Sequence, residues 1–231
     1  MSHAAPIPIS LPSLSYGQKV RLFLDWACSD LRCSAKTRQA MWGRFMDKNA
    51  YDILLFNYYR EAELRGADLI LRLINRMDDL ALQEKLARHL ADETNHAWLW
   101  TERIRALGGV PVRIDNGYHR HLRRKTGLPA NLLDLVALTY VVEERSRKRY
   151  EEHAARPDVD PDTLKVLNEL QADEEQHLTW VAEKLAHMAE SEGQEKVTAA
   201  LNRYRGLEAE AFAEMLADEQ QALREMTEGE E

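Results

Sequence analysis

Ala91-Asp92-Glu93-Thr94-Asn95-His96 and Ala172-Asp173-Glu174-Glu175-Gln176-His177 are two copies of one hexapeptide, Ala-Asp-Glu-x-x-His. The flanks align without gaps in the same register: Leu86 answers Leu167, Glu102 answers Glu183, Arg103 answers Lys184 and Ile104 answers Leu185. This is the pattern of a duplicated helical hairpin.

The spacing within the repeat carries chemistry. Residues three apart on a helix are neighbours on one face, so Glu93 with His96, and Glu174 with His177, can turn toward one ion. Glu93 lies one turn from Leu90 and two turns from Trp100. Glu174 lies one turn from Leu170 and Leu178, and two from Leu167 and Val181. These are inward positions, where a charge is costly unless paired or metal-bound. A single Glu-x-x-His is weak evidence, whereas two at equivalent places in a duplication are strong. The alternative is a pair of helix-surface ion pairs.

Around the repeats the chain divides into four long helical segments, about Ala50–Arg76, Leu80–Leu107, Pro129–His153 and Pro161–Glu190. Gly108-Gly109 ends the second. Asp160 as N-cap and Pro161 at the first helical position open the fourth, and Gly193 closes it. Two shorter helices are expected before them, about Tyr16–Arg32 and Ala35–Met46. One more follows, about Glu195–Met226. Short turns join the first segment to the second and the third to the fourth. The stretch from Gly108 to Leu128 joins the two pairs. The expectation is all-α: two antiparallel hairpins linked by one long crossover, with residues 1–15 a flexible arm, 16–190 the bundle and its accessory helices, and 191–231 a C-terminal helix with an acidic tail.

Further ligands are expected from the first and third segments. Glu63 shares a face with Phe56, Tyr59, Ala67 and Ile70, whereas Glu61 sits with Asn57, Arg65 and Asp68 and reads as solvent-facing. In the third segment Glu143 lines up with Val136, Tyr140, Ser146 and Tyr150. Glu63-x-x-Gly66 parallels Glu143-x-x-Ser146. The ungapped register of the duplication instead pairs Glu63 with Glu144, so Glu143 and Glu144 both stay open, Glu143 being preferred.

On Glu63, Glu93-x-x-His96, Glu143 and Glu174-x-x-His177, the sequence resembles the ferritin-like, rubrerythrin-type di-iron carboxylate superfamily. The resemblance covers about residues 50–190. It implies a ferritin-like four-helix bundle, here with extra N-terminal helices and a C-terminal helix. It also implies two Fe ions, or Mn or a mixed Fe/Mn pair, and dioxygen or peroxide as oxidant. Glu143-x-x-Ser146-x-x-x-Tyr150 looks like the family's third-helix pattern, which makes Tyr150 the candidate catalytic side chain. The family's rubredoxin-bearing members carry paired C-x-x-C motifs. This chain has only Cys28 and Cys33, so an external electron donor is expected. Ile70 stands where the other half has Tyr150, an asymmetry that would leave a pocket on one side of the metals.

The function expected is an oxidoreductase that activates dioxygen or peroxide and oxidises or hydroxylates a small organic substrate. The alternatives are ferroxidase, iron-handling or peroxide-detoxifying chemistry, and a metal-stabilised interaction protein whose last helix docks a partner through Leu201, Leu207, Ala211, Met215 and Leu216. A net charge of −8 in 231 residues argues against nucleic acid as partner. The run His119–Lys125 reads as a solvated connection or as an anion contact beside the active site. No apolar run reaches bilayer length and the start lacks the features of a signal peptide, so a cytoplasmic protein is expected, with a homodimer as one assembly open to it.

Overall fold

The computed structural model describes residues 49–75 and 78–228. The two helices expected before residue 47, the leading arm and both cysteines lie outside the described residues. Within these, six α-helices and no strand occur: α1 Asn49–Ile74, α2 Leu80–Ala106, α3 Tyr118–Thr126, α4 Leu132–Ala154, α5 Pro161–Glu192 and α6 Gln194–Glu228. No described helix is long and apolar enough to cross a membrane.

Local chemistry sets the helix ends. Asp79 caps α2 by accepting from the Ala81 and Leu82 N–H groups. Asp160 caps α5 by accepting from those of Asp162 and Thr163, with Pro161 in the first turn. The third segment begins at Leu132 rather than near Pro129, because the Asn131 side chain accepts from the Asp134 N–H at 2.8 Å. At the end of α2, Gly108 takes φ 80°, which L side chains rarely adopt. There the Gly109 N–H reaches back to the Ile104 carbonyl at 2.8 Å.

The duplication appears as an approximate two-fold. α1 packs along α2, α4 packs along α5, and α2 faces α5. Arg103 on α2 reaches the α5 cap Asp160 at 3.0 Å. Its counterpart Lys184 on α5 approaches the α2 cap Asp79 at 4.0 Å. Two apolar layers cross the bundle. One contains Phe56, Tyr59, Trp100, Ile104, Tyr150 and Leu167; the other contains Ile70, Leu73, Leu82, Leu86 and Leu135. In chain order on α1, α2 and α4, the expected site residues fall between these layers.

The crossover departs from expectation. The basic run is not a solvated connection: it forms α3, which lies against α6. Tyr118 and Leu122 are buried. His121 Nδ1 lies 3.0 Å from Glu214 and Nε2 2.9 Å from Asp218. Lys125 reaches Glu210 and Glu214, each at 2.9 Å. Before α3, the crossover is tied to α1 by the fully buried Asn57, whose Oδ1 accepts from the Val112 N–H at 2.7 Å.

The last helix also differs from expectation. Its apolar face is not left for a partner: Ala211 and Met215 are fully buried and α6 packs on α3, α4 and α5. Buried Glu208 pins it, accepting two hydrogen bonds from Arg145, at 2.7 and 2.8 Å, and one from the Tyr118 hydroxyl at 3.1 Å. Breaking a buried pair from one side leaves the other charge uncompensated. Glu208→Ala is therefore expected to destabilise the protein by about 3 kcal/mol, read as a lower denaturant midpoint. A change within about 0.5 kcal/mol would mean that this pair does not anchor α6.

Candidate metal centre

Seven side chains converge between the apolar layers: Glu63 from α1, His89, Glu93 and His96 from α2, Glu143 from α4, and Glu174 and His177 from α5. None is more than 5% exposed. They form two groups whose donor atoms lie within 4.8 Å of one another: His89, Glu93, Glu143 and His177, and Glu63, Glu93, His96 and Glu174. Glu93 belongs to both. Glu174 spans them, with Oε1 4.0 Å from His96 and Oε2 3.9 Å from His177. This is the geometry of two adjacent metal positions with carboxylates between them.

All six residues singled out as ligands from the sequence are brought together. Glu143 points into the centre, with its oxygens 3.1 Å from His89 Nε2 and 3.6 Å from His177 Nδ1. Glu144 instead pairs with Arg205 on α6. The register conflict between them has a covalent source. The α4–α5 connection, residues 155–160, is one residue longer than the α1–α2 connection, residues 75–79. The first helix of each hairpin is thus offset by one relative to the second. Glu61, read as solvent-facing, is buried, because the crossover lies over that face of α1 and Gly117 sits directly on its carboxylate.

The histidines are oriented by the residue that precedes each Glu in the repeat. His96 Nε2 lies 3.1 Å from Asp173, and His177 Nε2 lies 3.2 Å from Asp92. Each repeat thus holds the imidazole of the other. Both Nδ1 atoms are left facing the carboxylates, buried and without a hydrogen-bond partner among the described residues. Both oxygens of Glu174, 1% exposed, lack a partner as well. A buried carboxylate with both oxygens unsatisfied is costly, and a cation between Glu174 and the Nδ1 atoms removes that cost. The donor set, imidazole with carboxylate, fits divalent iron or manganese.

Four further residues lie outside the Glu-x-x-His pattern. His89 sits one turn before Glu93, with Nε2 3.2 Å from it, and stacks on His177 at 3.7 Å between ring centroids; its counterpart in the second repeat is Leu170. Asp92 and Asp173 were visible as constant letters of the hexapeptide. His119 of the basic run reaches a cavity of about 20 Å³ that Glu93 and Glu143 also line. That volume holds about one water-sized molecule. Ile70, Gly66 and Ser146 wall the same cavity. It therefore lies on the side where the first half has Ile70 in place of Tyr150. On the other side Tyr150 donates to Glu63 and accepts from Trp100 Nε1 at 3.4 Å.

The electrostatics follow from burial. Desolvation, with Glu63 and Glu143 nearby, pushes the Glu93 carboxyl well above the usual range. Desolvation and Glu143 do the same to Glu174. Burial opposes charge on His96, but Glu63 beside it pulls the imidazole up to about 9; Glu143 does the same for His177. Burial alone would raise Glu143, yet the imidazoles of His89 and His177 hold it well below the ordinary value. Burial pushes His119 down to about 4.

A family model described as a ferritin-like domain matches residues 72–191, just over half of the chain. The match spans the seven convergent side chains except Glu63. No curated protein and no solved structure matches the chain.

Two predictions follow the geometry. A Cβ on Gly66 would overlap Glu93 Oε2. Gly66→Ala should thus displace the carboxylate shared by both groups and weaken metal binding by about 10- to 100-fold, the scale of losing a ligand's support. The metal-free protein should keep or gain up to about 1 kcal/mol, since Ala is the better helix former. Unchanged affinity by metal titration would show that Glu93 is not needed. The second concerns protons. His96 and His177 are protonated in the metal-free fold up to about pH 9, so their contribution to its stability is full below the unfolded value near 6.5 and fades as pH rises through about 9. Metal must displace those protons. Loading at pH 7 should release protons into a weakly buffered solution, and affinity should strengthen as pH rises toward 9. Absence of proton release would exclude both imidazoles as ligands.

Proposed function

Because the chain belongs to the ferritin-like domain family, we propose that its buried His/Glu centre holds two iron ions and that the protein is an oxidoreductase which activates dioxygen or peroxide to oxidise or hydroxylate a small organic substrate. The observation that carries this reading is the pair of groups sharing Glu93, with Glu174 left unsatisfied between them. One position offers two imidazoles and two carboxylates, the other one imidazole and three carboxylates. The nitrogen-richer position suits iron, and the oxygen-richer one also accepts manganese.

Two ferrous ions, when bound, supply the electrons that reduce dioxygen or peroxide. The side chains do the rest. Glu93, common to both donor groups, and Glu174, between His96 and His177, would be the carboxylates that both ions share. Asp92 and Asp173 fix the imidazoles through Nε2, so that Nδ1 stays aimed inward. Tyr150, whose hydroxyl is kept neutral by burial and by Glu63 and Glu174, holds Glu63 as a hydrogen-bond donor. The small cavity beside Glu93 and Glu143 gives a diatomic oxidant a place next to the centre, with neutral His119 as its titratable wall. Hydroxylation inserts one oxygen atom into a C–H bond and sends the other to water. With dioxygen that consumes two electrons and two protons from a separate donor, whereas peroxide already carries them.

The test is iron content after anaerobic loading with ferrous iron and removal of excess, followed by admission of oxygen. The wild type should hold about two irons per chain, one for each donor group. His89→Ala should lose one preferentially, and Glu174→Ala/His177→Ala should lose both. Oxygen should then be consumed in proportion to bound iron. No iron in the wild type would remove the redox reading. Oxidised iron accumulating well beyond the two positions would replace it with iron handling.

A further inference from the structure

The small cavity beside Glu93 and Glu143 has a neighbour. Two of its walls, Leu69 and His119, are also walls of a larger cavity of about 280 Å³ between α1, the crossover and the start of α4. Leu69 and His119 are therefore the partition between an outer chamber and the proposed metal positions.

The outer chamber has a definite chemistry. Its inner surface is apolar, with Leu69, Ile114, Leu122 and Leu138. Its polar wall carries five arginines, 65, 72, 113, 120 and 123, against three carboxylates, Glu61, Asp68 and Asp115. Each carboxylate is already engaged: Arg65 holds Glu61 at 3.0 Å, Arg72 holds Asp68 at 3.0 Å and Arg113 holds Asp115 at 2.8 Å. Arg120 donates to the Asp115 carbonyl at 2.8 Å. Arg123 has no carboxylate partner among the described residues. The chamber thus has a surplus of positive charge in a chain whose net charge is −8. Elsewhere on α3 the cations are spent on α6, since Arg124 and Lys125 both pair with Glu214.

We propose that this chamber binds an organic anion with an apolar body, its carboxylate or phosphate head at Arg120 and Arg123 and its apolar end against the Leu69–His119 partition. The guanidinium fork matches either head group, and the apolar lining takes the chain. This deepens the reading of the centre as a substrate-oxidising site and rests on it for the word substrate. The binding itself stands on the chamber. A site limited to iron entry would carry the opposite charge, because a divalent cation is repelled by five guanidinium groups.

The test uses the full chain and three probes of equal length: octanoate, octyl phosphate and octylamine. Binding is followed by ligand-observed NMR with zinc in the centre, and again with manganese. Octanoate or octyl phosphate should bind, and the tighter of the two names the head group. Octylamine should not bind. Arg123→Glu, at an exposed position, should leave the melting temperature in place and weaken anion binding about tenfold. With manganese bound, relaxation should be faster at the terminal methyl than at the carbon beside the head group. Equal binding of octylamine, indifference to Arg123→Glu, or faster relaxation at the head group would each overturn the proposal. Failure of either metal to bind would instead remove the reading of the centre, and the Arg123→Glu comparison would still decide the chamber.

Discussion

Four carboxylates and three imidazoles meet in the interior of the bundle, none more than 5% exposed, and this burial of charge is the constraint that the surrounding structure answers. An isolated ionised group away from water is strongly unfavourable and shifts its protonation instead. The metal-free chain does that: two carboxyls rise, and two imidazoles hold protons up to about pH 9. A divalent cation solves the same problem at the same atoms. Protons and metals are thus competitors for one preformed cage. The apolar layers on either side keep water from offering a third solution.

The cage is symmetric in the residues that orient its donors and asymmetric at two positions. The two-fold repeats Asp92 and Asp173 as imidazole holders, His96 and His177 as donors, and Arg103 and Lys184 as ties to the opposite cap. It breaks at two levels. His89 has Leu170 as its counterpart, which gives one position an extra nitrogen. Ile70 has Tyr150 as its counterpart, which caps Glu63 on one side and leaves a cavity by Glu143 on the other. A homogeneous cage would treat its two ions and two faces alike. Here the extra nitrogen and the open face both lie at the group containing Glu143.

The hairpins and the inward Glu-x-x-His faces were legible because they depend on local periodicity and on a repeated register. The caps Asp79, Asn131 and Asp160 are equally local. What was not legible depended on which surface covers which. Glu61 read as solvent-facing by its neighbours on α1, and only the path of the crossover buries it. The basic run looked solvated because its acidic partners, Glu210, Glu214 and Asp218, lie far along the chain on α6. The choice between Glu143 and Glu144 turned on a single residue of loop length, which no alignment of the repeats alone resolves. His89 was missed for a different reason: its signal, a histidine one turn before a motif Glu, exists in one repeat only.

The arrangement also bears on whether metal resides in this centre or passes through it. Iron handling needs a site that binds, oxidises and then releases, so weak and oxygen-rich coordination next to an acidic exit serves it. The group with His89 and His177 offers two imidazoles, and that of His177 is further held by Asp92 at 3.2 Å. Softer nitrogen donors with a fixed second layer raise retention. Across the Leu69–His119 partition from the small cavity lies a chamber rimmed by arginines, which disfavours a departing cation and favours an arriving anion. An inner group of this kind beside an arginine-lined chamber is the opposite of what metal transit requires, and the chamber's charge depends on one short helix. Placed in the crossover, α3 directs His121, Arg124 and Lys125 to the acidic face of α6, and leaves His119, Arg120 and Arg123 to face the chamber.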